Sequence, residues 1–158
     1  MRKLILLAAL VVALPVCAKD PSLVGVWRFQ KSVDTRADGS IRAGYPGSNL
    51  DGYVVYTSDG FVSVTLMPKA RHWRVDNATN EQFRQTVEVG TAYSGRYEVD
   101  PVAHTVTHTA TVCLDPADEG KQLVRTYKID GDTLTLSGTW LLEGETLGFA
   151  ITWRREKH

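Results

Sequence analysis

Residues 92–136 read AYSGRYEVDPVAHTVTHTATVCLDPADEGKQLVRTYKIDGDTLTL, and this stretch decides the fold. It contains four runs rich in β-branched and aromatic residues. Turn-forming residues divide the runs at 100–101 and at 130–132, which predicts four strands in two antiparallel hairpins. One face of these strands is apolar except at His104, His108 and Arg125. A polar side chain on an apolar face needs a hydrogen-bond partner or has a function.

Strand alternation predicts where these three side chains point. His104 and His108 fall in step with apolar neighbours over residues 102–110, while the intervening threonines form a polar outer face. Arg125 falls in step with Leu123 and Tyr127. Because successive side chains of a strand point to opposite faces, we expect all three polar groups to face the core.

An inward arginine requires an anion, and its planar fork suits a carboxylate. One interpretation is that Arg125 and His108 anchor the polar end of a ligand, with His104 as a further candidate. The alternative is that Arg125 pairs with an internal acid, Glu98 or Glu143, and that His108 hydrogen-bonds to a neighbouring residue.

The remainder of the chain also predicts β structure. Thr79 and Gln82 have the spacing of a capping box, so one short helix is expected from Thr79 to Gly90. About eight sequential strands with hairpin connections indicate an all-β, antiparallel up-and-down barrel. Such a barrel holds either side chains or one small ligand. The strands expected outside the opening stretch cover residues 23–30, 52–57, 61–66 and 147–155.

The first eighteen residues have the layout of a secretory signal peptide. Arg2 and Lys3 precede an apolar run over residues 4–14, which is too short to span a bilayer. We therefore expect a signal peptide over residues 1–18, a single domain over residues 19–158, and an exported protein, periplasmic or secreted. The alternative of a lipid anchor on Cys17 is less favoured, because the residue before it is not small.

Composition excludes several function classes. The chain has 18 basic and 18 acidic residues and no basic stripe, so nucleic acid is not an expected partner. His104 and His108 lie about 13 Å apart on a strand at ~3.3 Å per residue, too far to share a metal ion. No metal, cofactor or stable membrane span is predicted, and nothing indicates an oligomeric state.

Three aromatic residues complete the expected ligand contacts. Tyr56 and Tyr97 follow the apolar strand faces. Trp73 lies in a basic segment within the longest break between strands. It would either cover the mouth of the barrel or anchor the helix on the barrel wall.

The order and spacing of these segments resemble the bacterial lipocalin-like domain family. That resemblance implies an eight-stranded barrel with a cavity, in a family whose biochemical role is mostly uncharacterised. The family pattern includes a histidine and an arginine that match His108 and Arg125, whereas His104 matches nothing in it. The turn after Cys113 is more acidic than the family pattern. The matching segments are residues 23–28, 51–60, 90–97, 106–108, 125–127, 131–136 and 153–154.

Gly25 and Trp27 also resemble the first-strand signature of true lipocalins, in which an arginine packs over the tryptophan. Arg154 or Arg155 would take that place here.

The sequence thus favours an exported barrel that binds a small apolar or amphipathic molecule, with Arg125 and His108 at its polar end. Two alternatives stay open. One is an enzyme of the isomerase or cyclase type that uses the same two residues, because histidine titrates near neutrality. The other is a structural barrel that is packed solid and binds no ligand.

Overall fold

The computed structural model describes residues 20–42, 49–69, 71–142 and 144–157. The predicted signal peptide, Cys17 and Glu143 lie outside these ranges. In chain order the elements are β1 (Gly25–Thr35), β2 (Ile41–Arg42), β3 (Leu50–Tyr56), β4 (Phe61–Pro68), α1 (Asn80–Val89), β5 (Thr91–Asp100), β6 (Thr105–Cys113), β7 (Gln122–Asp130), β8 (Thr133–Leu142) and β9 (Glu145–Arg155).

Eight of these strands close into a barrel. Each strand from β3 to β9 pairs antiparallel with the next, β1 pairs with β3, and β1 also pairs with β9 over Trp27 to Thr35. The two-residue β2 is an additional strand on the end of β1. The prediction of an all-β, eight-stranded up-and-down barrel with one helix is confirmed. No helix in the described ranges is long and apolar enough to cross a bilayer.

Trp27 closes one end of the barrel. It is fully buried, and the Arg155 guanidinium lies 3.9 Å from the centroid of its indole ring. Arg155 also donates a 2.8 Å hydrogen bond from Nη1 to the Val24 carbonyl. Of Arg154 and Arg155, the arginine that packs over Trp27 is therefore Arg155. Gly25 is required beside it, because its φ is +139° and a Cβ there would lie 2.8 Å from Arg155 Nη1.

The single helix follows the sequence prediction. Thr79 Oγ1 accepts a hydrogen bond from the Gln82 backbone at 3.2 Å, and the Gln82 side chain accepts one from the Thr79 backbone at 2.8 Å. This reciprocal pair is a capping box, and Gly90 ends the helix. Trp73 packs edge-on against Phe83 of α1, with ring centroids 5.3 Å apart. Trp73 thus takes the helix-anchoring position, one of its two expected places.

His104 does not face the core, and this part of the prediction was wrong. β6 begins at Thr105, because residues 101–104 form the turn after β5. Asp100 Oδ1 accepts hydrogen bonds from the backbone of Val102 and Ala103, each at 2.9 Å. His104 takes a left-handed φ of 52° and is exposed. The alternating pattern of the sequence therefore includes residues that precede Thr105, where the strand begins.

The inward placement of His108 and Arg125 is confirmed. His108 is fully buried between Val106 and Ala110 on the inner face of β6. Arg125 is half-buried on β7, on the same face as Tyr127.

Candidate ligand-binding cavity

A cavity of about 380 Å³ occupies the barrel interior away from Trp27. This volume lies in the range of small-molecule pockets, and its walls are mostly apolar, as such pockets are. The barrel is therefore not packed solid. The apolar wall is formed by side chains from β1, β3, β4, β8 and β9, among them Phe29, Leu50, Val64, Leu66, Leu136, Phe149, Ile151 and Trp153.

Arg125 brings a positive charge into this wall. Its Nη1 donates to the Leu123 carbonyl at 2.9 Å, and its Cζ lies 5.9 Å from the ring centroid of Tyr93 and 6.0 Å from that of Phe149. These contacts position the guanidinium without neutralising it. The prediction of an internal acid partner is not met by Glu98, which is exposed on β5.

The described residues give Arg125 no carboxylate partner. Asp118, the one acid that lines the cavity within those residues, forms an ion pair with Lys121 at 2.8 Å. The positive charge of Arg125 therefore faces the cavity without a protein counter-ion in the described part of the chain.

Gly138 allows the aromatic contact with Arg125. A Cβ on Gly138 would lie 3.0 Å from two ring atoms of Phe149. Without that Cβ, the Phe149 ring lies over β8, where it is within reach of Arg125 from β7. A glycine within a strand often marks such a close approach.

His108 lies behind the cavity wall and is held on both sides. Its Nε2 is 2.8 Å from the Tyr56 hydroxyl, and its Nδ1 is 2.8 Å from the Tyr93 hydroxyl. His108 is absent from the described lining, whereas Tyr93 is part of it. Both ring nitrogens are thus engaged by tyrosines, and Tyr93 alone of the three extends to the cavity.

Burial keeps this cluster uncharged at neutral pH. Desolvation, followed by repulsion from Arg125, lowers the pKa of His108 well below its usual 6.5. Desolvation raises the pKa of Tyr56 well above 10 and also raises the pKa of Tyr93. The three residues are therefore a neutral imidazole and two protonated phenols.

Asp34 is a buried acid that lies outside the described cavity lining. It lies on β1 opposite Phe149, and neither carboxylate oxygen has a hydrogen-bond partner among the residues that the structure describes. Burial raises the pKa of its carboxyl, which attraction to Arg42 partly offsets. This environment favours the neutral form of Asp34 more than an exposed aspartate would.

Two of the predicted aromatic contacts lie outside the described lining. Tyr56 packs edge-on against Tyr97 with ring centroids 4.9 Å apart. The Tyr97 hydroxyl donates to the Thr57 carbonyl at 2.9 Å, which directs it away from His108. Both tyrosines are buried, Tyr56 within the cluster and Tyr97 beside it, and neither is part of the described cavity lining.

His104 and Trp73 also lie elsewhere. His104 borders a shallow surface depression with Asp20 and Tyr127, where the Tyr127 hydroxyl donates to Asp20 at 2.9 Å. Trp73 contacts α1 and is not among the lining residues. Of the six residues predicted to contact the ligand, Arg125 is the one that belongs to the described cavity lining. His108 does not belong to it, but its Nδ1 is hydrogen-bonded to Tyr93, which does.

Tyr93 is the main residue that the sequence reasoning missed. It stands two alternation steps before Tyr97 on the same face of β5, with Gly95 between them. Applying the inward pattern of Tyr97 to the start of the strand would have placed Tyr93 in the core.

The described residues contain no group of three or more histidine, cysteine, aspartate or glutamate side chains that could hold a metal ion. Among the described residues, the cavity offers hydrogen-bond donors, one cation at Arg125 and apolar walls.

Comparison with known proteins gives a family match and a weakly similar solved structure. The chain matches the family model described as a lipocalin-like domain over residues 24–156. It is similar to a solved structure of the siderocalin Ex-FABP, described as functioning through dual ligand specificities, with 9% identity, 85% of this chain and 70% of that chain covered, and a TM-score of 0.35. No curated protein matches the chain.

The buried neutral histidine predicts a pH-dependent stability. Below about pH 6.5 the unfolded chain binds a proton at His108 that the folded protein excludes. The stability contribution of neutral His108 is thus complete above pH 6.5 and falls with decreasing pH by up to about 1.4 kcal/mol per unit. Urea unfolding at pH 5, 6 and 7 should show this slope in the wild type and a weaker slope in His108→Gln.

The control is His104→Gln, which changes an exposed histidine and should retain the wild-type slope. A slope that is the same in His108→Gln and in the wild type would show that His108 is not the responsible group.

Proposed function

The chain belongs to the lipocalin-like domain family, and we propose that its barrel binds one small, mostly apolar molecule whose polar end lies at Arg125. The observation that carries this proposal is the apolar cavity of about 380 Å³, with a guanidinium in its wall that has no carboxylate partner among the described residues. A ligand of this kind would remove apolar wall area from water and supply an acceptor to the guanidinium.

The energetics favour such an occupant. Burying apolar surface contributes roughly 25 cal/mol per Å², so even a ligand of modest size gains several kcal/mol from the walls. A half-buried cation without a counter-ion loses hydration and regains little from aromatic faces. The polar end of a ligand would restore part of that loss, which supports an amphipathic molecule over a purely apolar one.

The arrangement of His108 supports binding over acid–base catalysis. Both of its ring nitrogens are within hydrogen-bond distance of tyrosine hydroxyls. A substrate in the cavity would meet Tyr93 before it met the imidazole. An isomerase or cyclase that uses His108 directly would have to break one of these two hydrogen bonds first.

Export is part of the same proposal. The pattern of a basic start, an apolar run and small residues before Lys19 supports removal of residues 1–18 during secretion. Amino-terminal sequencing of the protein recovered from its native cells should begin at Lys19. A chain that retains Met1 in the cytoplasm, or one that carries lipid on Cys17, would contradict this assignment.

A neutral apolar dye tests the binding cavity. N-phenyl-1-naphthylamine should bind one molecule per chain with a dissociation constant of about 10 µM, the order expected for a ligand of this size. Leu136→Trp places a larger side chain in the cavity wall and should weaken binding at least about 10-fold. Dye fluorescence measures the affinity, and a thermal melt of each variant checks that it is folded.

The matched control is Leu141→Trp on the same strand. Leu141 is 73% exposed and outside the described lining, so this change should leave the affinity within about twofold of the wild type. Equal weakening by both substitutions, or wild-type protein that does not bind the dye, would refute a binding cavity inside the barrel.

A further inference from the structure

In each of the two hydrogen bonds of His108, one group donates and the other accepts. Which group donates determines what the neighbouring tyrosines can offer to a ligand. A neutral imidazole has one N–H donor and one acceptor nitrogen. Because Tyr56 and Tyr93 contact different nitrogens of the same ring, one hydroxyl must donate to His108 and the other must accept from it. Two arrangements satisfy this condition, and they differ in which tyrosine keeps a free proton.

In the first arrangement Tyr93 donates to Nδ1 and Tyr56 accepts from Nε2. The Tyr56 proton would then need a second acceptor, but Tyr56 is 1% exposed, and His108 is the one hydrogen-bond partner of its hydroxyl among the described residues. This arrangement leaves a buried donor unsatisfied, which native interiors avoid.

In the second arrangement Tyr56 donates to Nε2, and Nδ1–H donates to the Tyr93 oxygen. The free proton is now on Tyr93, which lines the cavity. Burial raises the pKa of Tyr93 above its usual 10, so the hydroxyl keeps that proton. This arrangement satisfies the donors of Tyr56, His108 and Tyr93, provided that an acceptor occupies the cavity beside Tyr93.

We propose that Tyr93 donates a hydrogen bond to the bound molecule and that, with Arg125, it selects a ligand ending in a carboxylate. This inference rests on the proposed binding function and names the class of ligand. One carboxylate oxygen would accept from the Arg125 guanidinium and the other from the Tyr93 hydroxyl. Both protein groups present donors there, so the complementary group is one that only accepts.

The local charge favours a single negative charge over a doubly charged phosphate. Arg125 is the one cation among the described lining residues. Asp118 is balanced by Lys121, and His108 is neutral, so the interior offers one unit of positive charge. A monocarboxylate neutralises that unit, whereas a dianion would leave an unpaired charge in an apolar cavity.

A matched pair of ligands tests the inference. Nonanoic acid and nonanamide have the same shape, but the amide carries two donors where the carboxylate has an acceptor. Isothermal titration at pH 7 should show the acid binding at least about 10-fold more tightly to the wild type. Tyr93→Phe should weaken the acid about 10-fold and change the amide by less than about threefold. Arg125→Met should remove the preference for the acid.

Tyr53→Phe is the control, because Tyr53 is half-exposed on β3 and outside the described lining. It should retain the full preference for the acid. An acid affinity that is the same in Tyr93→Phe as in the wild type would overturn the role of Tyr93, and equal wild-type affinities for acid and amide would overturn the carboxylate. If the wild type binds the neutral dye but shows no acid preference, the ligand class fails and the binding function stands. If it binds none of the three, both fail.

A measurement on the wild type does not depend on how the variants fold. Carbon-13 NMR of bound nonanoic acid labelled at its carboxyl carbon reports ionisation directly. Donors from Arg125 and Tyr93 stabilise the charged form, so the pKa of the bound carboxyl should lie below that of the free acid. A pKa above that of the free acid would show that the carboxyl lies against the apolar wall, which contradicts the proposal.

Discussion

A neutral histidine in the middle of an apolar barrel is the constraint on which the arrangement of the interior depends. His108 is fully buried, so each of its nitrogens requires a partner, and Tyr56 and Tyr93 provide them at 2.8 Å. These contacts fix the side chains of three different strands. They also make the imidazole unable to act as a second cation, which leaves Arg125 as the positive charge beside the cavity.

Barrel closure brings these groups together. Tyr56 is on β3, Tyr93 on β5, His108 on β6 and Arg125 on β7, and the first two are 37 positions apart in sequence, as their numbering shows. Pairing of β1 with β9 completes the wall, and Arg155 over Trp27 closes the end beyond the cluster. The cluster is thus reached from one side, where the Tyr93 ring and the Arg125 side chain contribute to the cavity wall.

The fold and the polar pair could be predicted from the sequence because both follow from alternation. Threonines out of step with His108 mark the outer face of β6, and Leu123 and Tyr127 mark the inner face of β7. Alternation failed at His104, since the hydrogen bonds of Asp100 to the turn decide where the strand starts. Strand periodicity contains no information on such a turn.

The cavity itself could not be predicted from the sequence. Its existence depends on how far side chains such as Phe149 reach across neighbouring strands, and Gly138 permits that reach by lacking a Cβ. The hydrogen bonds of His108 depend equally on two tyrosines, one on the neighbouring β5 and one on β3. Tyr56 was expected at the ligand, but its hydroxyl reaches the imidazole instead, and Tyr93 takes the place at the cavity.

The most direct test of this account is the tautomer of His108. Nitrogen-15 NMR of histidine-labelled protein at pH 7 distinguishes a neutral ring protonated on Nδ1 from one protonated on Nε2 and from an imidazolium. We expect a neutral ring with the proton on Nδ1, because of the two neutral forms only that one leaves Tyr93 with a proton for the ligand. A charged ring, or a neutral ring protonated on Nε2, would contradict it.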